Sequence, residues 1–185
     1  MRYISKSLIF MFAIVSFVSC ANVRNQATVN RYGDICTDAI HSNRLDVAEQ
    51  ACYRALLSVD TGNLGPEEKS KRLYNLALVK RYLAKYSEAD DLLRQSLSIE
   101  EKLMPPNEAR IGRRLVELSI NLAALHRWDE GMPYLDRSVY LAPLFSKKER
   151  ALLAHDLYQY GKKMRDINRI DLAERYESAL RALKK

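Results

Sequence analysis

The hydrophobic pattern changes character near residue 29. Before it stands one apolar run, Leu8 to Val18 broken only by Ser16, preceded by Arg2 and Lys6, with no acidic residue before Asp34. After it, large and small residues recur in one order four times. Asn43-Arg44-Leu45-Asp46-Val47-Ala48-Glu49 returns 125 residues later as Asn168-Arg169-Ile170-Asp171-Leu172-Ala173-Glu174, and Lys85-Tyr86-Ser87-Glu88-Ala89 and Arg127-Trp128-Asp129-Glu130-Gly131 lie between. The bulky residues Leu45, Tyr86, Trp128 and Ile170 stand 41, 42 and 42 positions apart. Self-similarity at that period is the mark of a repeat architecture.

Each copy predicts a helix, a short polar turn, the bulky residue, and a small residue three places on (Ala48, Ala89, Gly131, Ala173) inside a second helix. Nine or ten residues upstream stand Ile35-Cys36, Leu76-Ala77, Leu118-Ser119 and Tyr160-Gly161, again large then small. Small residues where helices cross let the backbones approach, and large ones fill the groove beside them. The unit is therefore a helical hairpin, and because one hairpin cannot bury its apolar face alone, four are expected to stack. The fold class is all-α, a solenoid of four antiparallel hairpins over about 29–69, 70–111, 112–153 and 154–185.

These residues resemble the tetratricopeptide repeat, and in particular the variety of about 42 residues found in kinesin light chain. The carriers are Tyr74-Asn75-Leu76-Ala77-Leu78, Lys85-Tyr86-Ser87-Glu88-Ala89, and Ser96 to Leu103 followed by Pro105-Pro106, with Leu64-Gly65-Pro66 resembling the inter-repeat turn. In that family the first helices line a groove that holds peptides. The resemblance thus implies a partner-binding groove walled by Lys71, Tyr74, Arg81, Tyr82, Arg113, Asn121, Tyr158, Lys162 and Arg165. The Lys and Asn with which some relatives clamp a terminal carboxylate are replaced by Gly33, Thr37, Tyr74 and Leu78, which disfavours that ligand. The last hairpin is expected to lack a covering helix, leaving its outer face to a partner or to a second copy of the chain.

The N-terminal run has the charged start and apolar middle of an export signal. Its 11 residues would make about 16 Å of helix, roughly half a bilayer core, so a permanent span is not expected. Phe17-Val18-Ser19-Cys20-Ala21 resembles the lipobox of bacterial lipoproteins. That resemblance implies a signal peptide over 1–19, lipidation of Cys20, and, from Ala21, the periplasmic face of the outer membrane. Cleavage after Ala21 to release a soluble periplasmic protein is the alternative. Residues 20–28 read as the lipidated cysteine and a polar tether. Loss of Arg2 and Lys6 with the leader lowers the formal charge from +7 to +5.

Composition narrows the chemistry. Six Gly and five Pro are too few for a many-turned all-β domain, and 48% hydrophobic residues are too many for a disordered chain. Cys36 and Cys52 flank the predicted first turn symmetrically, so a hairpin brings them level; a disulfide and a pair of small core thiols are both open readings. His41, His126 and His155 belong to no ligand or catalytic motif, and no phosphate loop, nucleophile elbow or nucleic-acid module occurs. No enzyme activity, cofactor, metal or nucleic-acid partner is expected. Asp90-Asp91 and Glu100-Glu101 read as solvated faces, and Trp128 as inter-helix core. The function read from the sequence is a membrane-tethered adaptor holding an envelope protein or peptide, for example of a pilus, secretion or outer-membrane assembly machine. A structural lipoprotein binding anionic cell-wall or surface polymers is the alternative.

Overall fold

A computed structural model describes residues 25–183. The leader over 1–19 and Cys20 lie outside the described residues. Among the described residues eight helices follow one another with short turns: α1 over 25–41, α2 Leu45–Gly62, α3 Pro66–Tyr82, α4 Tyr86–Lys102, α5 Glu108–Ala124, α6 Trp128–Leu141, α7 Lys147–Asp166 and α8 Ile170–Leu183, with a 3₁₀ turn at Ala142–Leu144. Residues 25–28, read from sequence as tether, are already helical. Gln26 donates to Asn30 Oδ1 at 3.0 Å along the helix, and Val29 is fully buried, so the first turn is fixed by its own side chains and by the core below it.

The repeat is written in hydrogen bonds. Asn43, Ala84, His126 and Asn168 all have φ between 53° and 59°, at spacings of 41, 42 and 42. In each turn the next amide reaches five residues back: Arg44 to Ala39, Lys85 to Lys80, Arg127 to Leu122 and Arg169 to Met164, each at 2.8 Å. This is the Schellman stop, in which a left-handed residue satisfies carbonyls that a helix end leaves orphaned. Asn tolerates that conformation. His126 is of a type also enriched there, whereas Ala84 adopts it against its intrinsic preference.

The chain divides into two compact units, Met1–Val79 and Lys80–Lys185, and the division falls inside α3 and not between repeats. In the described part of the first, Cys36 and Cys52 are paired as a disulfide between α1 and α2, their Cα atoms 5.1 Å apart. Closing a loop of 16 residues is worth about 3 kcal/mol. Arg72 is buried, donates to Glu68 at 2.7 Å, and lies so close to Gly33 that a Cβ there would come within 1.9 Å of its guanidinium.

In the second unit α5 packs against α4, α6 and α7, and α8 against α7. Ion pairs join elements of successive hairpins: Arg81 to Glu117, Glu101 to Arg137, Arg113 to Glu149, and Asp136 to Arg175. Two carboxylates read as solvated are buried. Asp90 accepts from Arg94 at 3.1 Å and Arg127 at 3.2 Å, and Glu100, wholly inaccessible, pairs with Arg114 at 3.0 Å. Their neighbours Asp91 and Glu101 are exposed, because adjacent positions on a helix point about 100° apart.

Gly131, where the other copies have Ala, is explained by Tyr160. The tyrosine is fully buried, donates to the Ser119 carbonyl at 3.0 Å, and stands edge-on between Trp128 and Tyr176 at 5.0 and 5.8 Å. A Cβ on residue 131 would lie 1.7 Å from its hydroxyl oxygen. Gly131→Ala should therefore cost about 1–3 kcal/mol through overpacking, and Tyr160→Phe about 1 kcal/mol through the lost hydrogen bond. Urea unfolding of both single variants and the double variant should show the double less destabilised than the sum. Additive losses would separate the two residues.

Candidate functional site

α7 begins with a capping box. The Ser146 side chain accepts from the Glu149 amide at 3.3 Å, and Glu149 Oε2 accepts from the Ser146 amide at 2.8 Å. Glu149 also binds Arg113 of α5; burial opposes its charge, but the Ser146 amide and hydroxyl, and then Arg113, hold its carboxyl below the usual range. The helix start is thus pinned to its neighbour. From there Ala151, His155, Tyr158, Lys162 and Arg165 run along α7 at intervals of four and three, and all are exposed. Such spacing keeps five side chains on one face.

The repeat shows why that face matters. Tyr158 occupies the position of Tyr74 and Val116 in the two preceding copies. Those are 8% and 1% exposed, whereas Tyr158 is 56% exposed. Lys162 likewise stands where Leu78 and Ile120 are half-buried. A position that is core in two copies is surface in the last, and one turn on Lys162 replaces the apolar Leu78 and Ile120.

Other residues assigned to the groove have different surroundings. Tyr74 is buried, which removes it from an accessible wall. Asn121 is completely inaccessible, and its side-chain amide donates to the Tyr86 carbonyl at 2.9 Å, a structural bond between α5 and the start of α4. Arg81 pairs with buried Glu117 at 2.9 Å and lies over the Tyr82 ring at 5.0 Å. Arg113 is committed to Glu149, and Arg165 donates to Glu177 of α8 at 2.6 Å. Lys71 and Tyr82 are exposed. Within the second unit, Tyr158 and Lys162 remain as exposed surface, with Tyr82 exposed beneath Arg81.

Behind the α7 stripe lies a feature that sequence reasoning missed. Asp156 is 1% exposed and in contact with the Ser119 hydroxyl of α5, while that hydroxyl is also 2.8 Å from the Val116 carbonyl. Ser119 has one proton to donate. Both contacts are satisfied when Ser119 donates to the carbonyl and Asp156, itself protonated, donates to Ser119. Burial, reinforced by Glu117 and opposed by Ser119 and Arg81, pushes the Asp156 carboxyl up to about 7. Glu117 is also raised by burial, against its pairing with Arg81. The available signal was the large-small pair Leu118-Ser119, whose small member is polar.

Among the described residues no group of three His, Cys, Asp or Glu side chains could hold a metal ion, and no helix is long and apolar enough to cross a membrane. Trp128 is half-buried, packed edge-on against Tyr160 and beneath Lys163.

Comparison with solved structures places this arrangement among TPR-like repeat folds. The chain is similar to BtubC (BKLC) from P. vanneervenii, at 16% identity and a TM-score of 0.72, over 84% of this chain and 63% of that one. It is also similar to a Podosopora anserina kinesin light chain protein with nearly identical TPR-like repeats, at 14% identity and a TM-score of 0.64, over 84% and 74% of the two chains. The fold is thus an all-α solenoid of TPR-like hairpins. The chain spans somewhat less than two thirds of the BtubC structure's length. No family model and no curated protein matches the sequence.

The proton on Asp156 has a measurable consequence. Its folded pKa of about 7 lies above the unfolded value of about 4, so this group's contribution to stability is full below pH 4 and is lost as pH rises through 7. Asp156→Asn keeps a neutral donor toward Ser119. Relative to the parent, the variant should gain nothing at pH 4, gain progressively to pH 7, and plateau above at on the order of a few kcal/mol. Thermal unfolding across pH 4–8 checks this; a constant difference would place the ionised form in the fold.

Proposed function

We propose that the chain is a non-enzymatic scaffold, tethered by Cys20 to the periplasmic face of the bacterial outer membrane, that holds a protein of the envelope on the outer stripe of its last hairpin. Assembly of a pilus, a secretion machine or the outer membrane itself is the setting this reading suggests. Three things support it. The leader and the lipobox-like Phe17–Ala21 are the sequence argument for export and anchoring. TPR-like solenoids present extended surfaces suited to protein binding. The observation that carries the reading is the exposure of Tyr158 where Tyr74 and Val116 are buried.

An uncovered core position in a repeat stack is a ready-made place for another helix. Tyr158 offers a ring with a polar tip, and Lys162, one turn on, offers a flexible cation. Aromatic anchors of this kind dominate binding energy when they are covered. His155 and Ala151 continue the same face toward the start of α7.

A photo-crosslinking residue replacing Tyr158, or separately Lys162, should yield one common adduct in intact cells. The same residue at Gln95, exposed on α4, should not. Tyr158→Ala with Lys162→Glu should reduce capture of the partner so identified by about tenfold or more, while helical content and unfolding midpoint stay at parental values. Equal adducts from all three positions, or capture insensitive to the double change, would remove the stripe as the binding surface.

A further inference from the structure

Two connectors of the second unit carry features that neither the core nor the α7 stripe uses. The first joins α4 to α5 and holds Met104, 88% exposed, followed by Pro105 and Pro106. The second is the end of α6 and the 3₁₀ turn, with Tyr140 81% and Leu144 51% exposed beside Pro143. The two lie on one edge, since Glu101, Pro106 and Glu108 line the same hollow of about 330 Å³ as Arg137, Tyr140 and Leu141. Phe145 ties the second connector down: it is buried, and its ring comes within 2.2 Å of where a Cβ on Gly112 of α5 would stand. The exposed Tyr140 and Leu144 therefore stand on anchored backbone.

Charge on this edge is one-sided. Lys102 ends α4, and Lys147, Lys148 and Arg150 open α7; all four are exposed, and none has an ion-pair partner among the described residues. The acids nearby are mostly spent: Glu101 binds Arg137, and Glu149 binds Arg113. Glu108 alone is exposed without an ion pair. Basic residues in the first turn of a helix oppose its dipole, so Lys147, Lys148 and Arg150 are not placed there for the helix's own stability.

We propose that this edge, formed by Met104, Tyr140 and Leu144 with Lys102, Lys147, Lys148 and Arg150, docks on an anionic lipid bilayer surface. Isolated apolar tips on rigid connectors suit the headgroup boundary, where Tyr favours the interface and long basic side chains reach phosphates. Each basic residue near such a surface adds attraction that decays within a Debye length. An acidic protein partner would share the charge requirement. The exposed apolar tips favour the bilayer, whose headgroup boundary takes up such side chains without a shaped pocket to receive them. The docking does not depend on Cys20 or on the scaffold reading above.

The test uses the full chain carrying Tyr140→Trp in a Trp128→Phe background, leaving one reporter on this edge, with retained helical content as the check on folding. The probes are vesicles of phosphatidylcholine with and without phosphatidylglycerol. The apolar N-terminal run, with Arg2 and Lys6 before it, would itself favour anionic vesicles, so the loss on exchanging residues of the edge, with that run unchanged, reports on the edge. The expected result is a blue shift on anionic vesicles alone, reversed by about 0.5 M salt. Lys147→Gln, Lys148→Gln and Arg150→Gln together should weaken it roughly a hundredfold in lipid concentration, the loss expected for three charges at a membrane surface. Met104→Ser with Leu144→Ser should diminish it with the charge intact. Equal shifts on both vesicles, no shift on either, or a shift produced by polyglutamate and not by vesicles would overturn the proposal, the last in favour of an acidic protein.

Discussion

Every hairpin depends on two helices meeting where a side chain is nearly absent. Ala48, Ala89 and Ala173 are fully inaccessible, and Gly131 is buried at the same place in the third copy. The turn that precedes each crossing delivers its small residue in register. The carbonyls of Arg44, Lys85, Arg127 and Arg169, whose own amides close the Schellman stop, accept from the amides of Ala48, Ala89, Gly131 and Ala173 at 2.9 to 3.2 Å. The residue ending one helix thus begins the next, and the small position always follows it by one helical turn. A larger side chain there would push the helices apart and displace the packing that neighbouring hairpins share.

With the crossing fixed, the second unit's interior is free to use charge. Buried carboxylates find an arginine on another helix: Glu100 takes Arg114, Glu117 takes Arg81, and Asp90 takes Arg127 from the turn before α6. Buried pairs of this kind add little net stability over an apolar core, yet losing one partner costs several kcal/mol. Their effect is on register, since a slip of one helix past another would strand a charge. Asp156 meets the same constraint differently, by a raised carboxyl pKa and a bond with Ser119.

The fold was largely legible because its cause is periodic. A spacing of 41 or 42 between Leu45, Tyr86, Trp128 and Ile170 returns in the structure as four left-handed turn residues at the same spacing. What was not legible was direction around each helix. Asp90-Asp91 and Glu100-Glu101 differ in burial by one residue, and the family-derived groove wall included Tyr74 and Asn121, which are interior. The resemblance supplied helix register but not which neighbour covers a given position. Gly131 stood out in the sequence as a departure, and its reason, the Tyr160 hydroxyl, lies 29 positions away.

α7 brings these threads together because it has two faces with opposite requirements. Its inner face places Asp156, Leu157 and Tyr160 in the core, where burial raises the carboxyl toward the neutral form. Its outer face has the repeat's core position at Tyr158, uncovered. In copies two and three the equivalent positions are buried; in copy four the substitution of Lys162 for an apolar residue makes the face tolerable in water. Lys162 with Tyr158 is also what a binding surface needs: an anchor ring and a soluble cation one turn apart. The Lys162 that suits this face of α7 to solvent is therefore also what equips it to meet another helix. Any occupant of that stripe bears on the helix whose opposite side rests on Ser119.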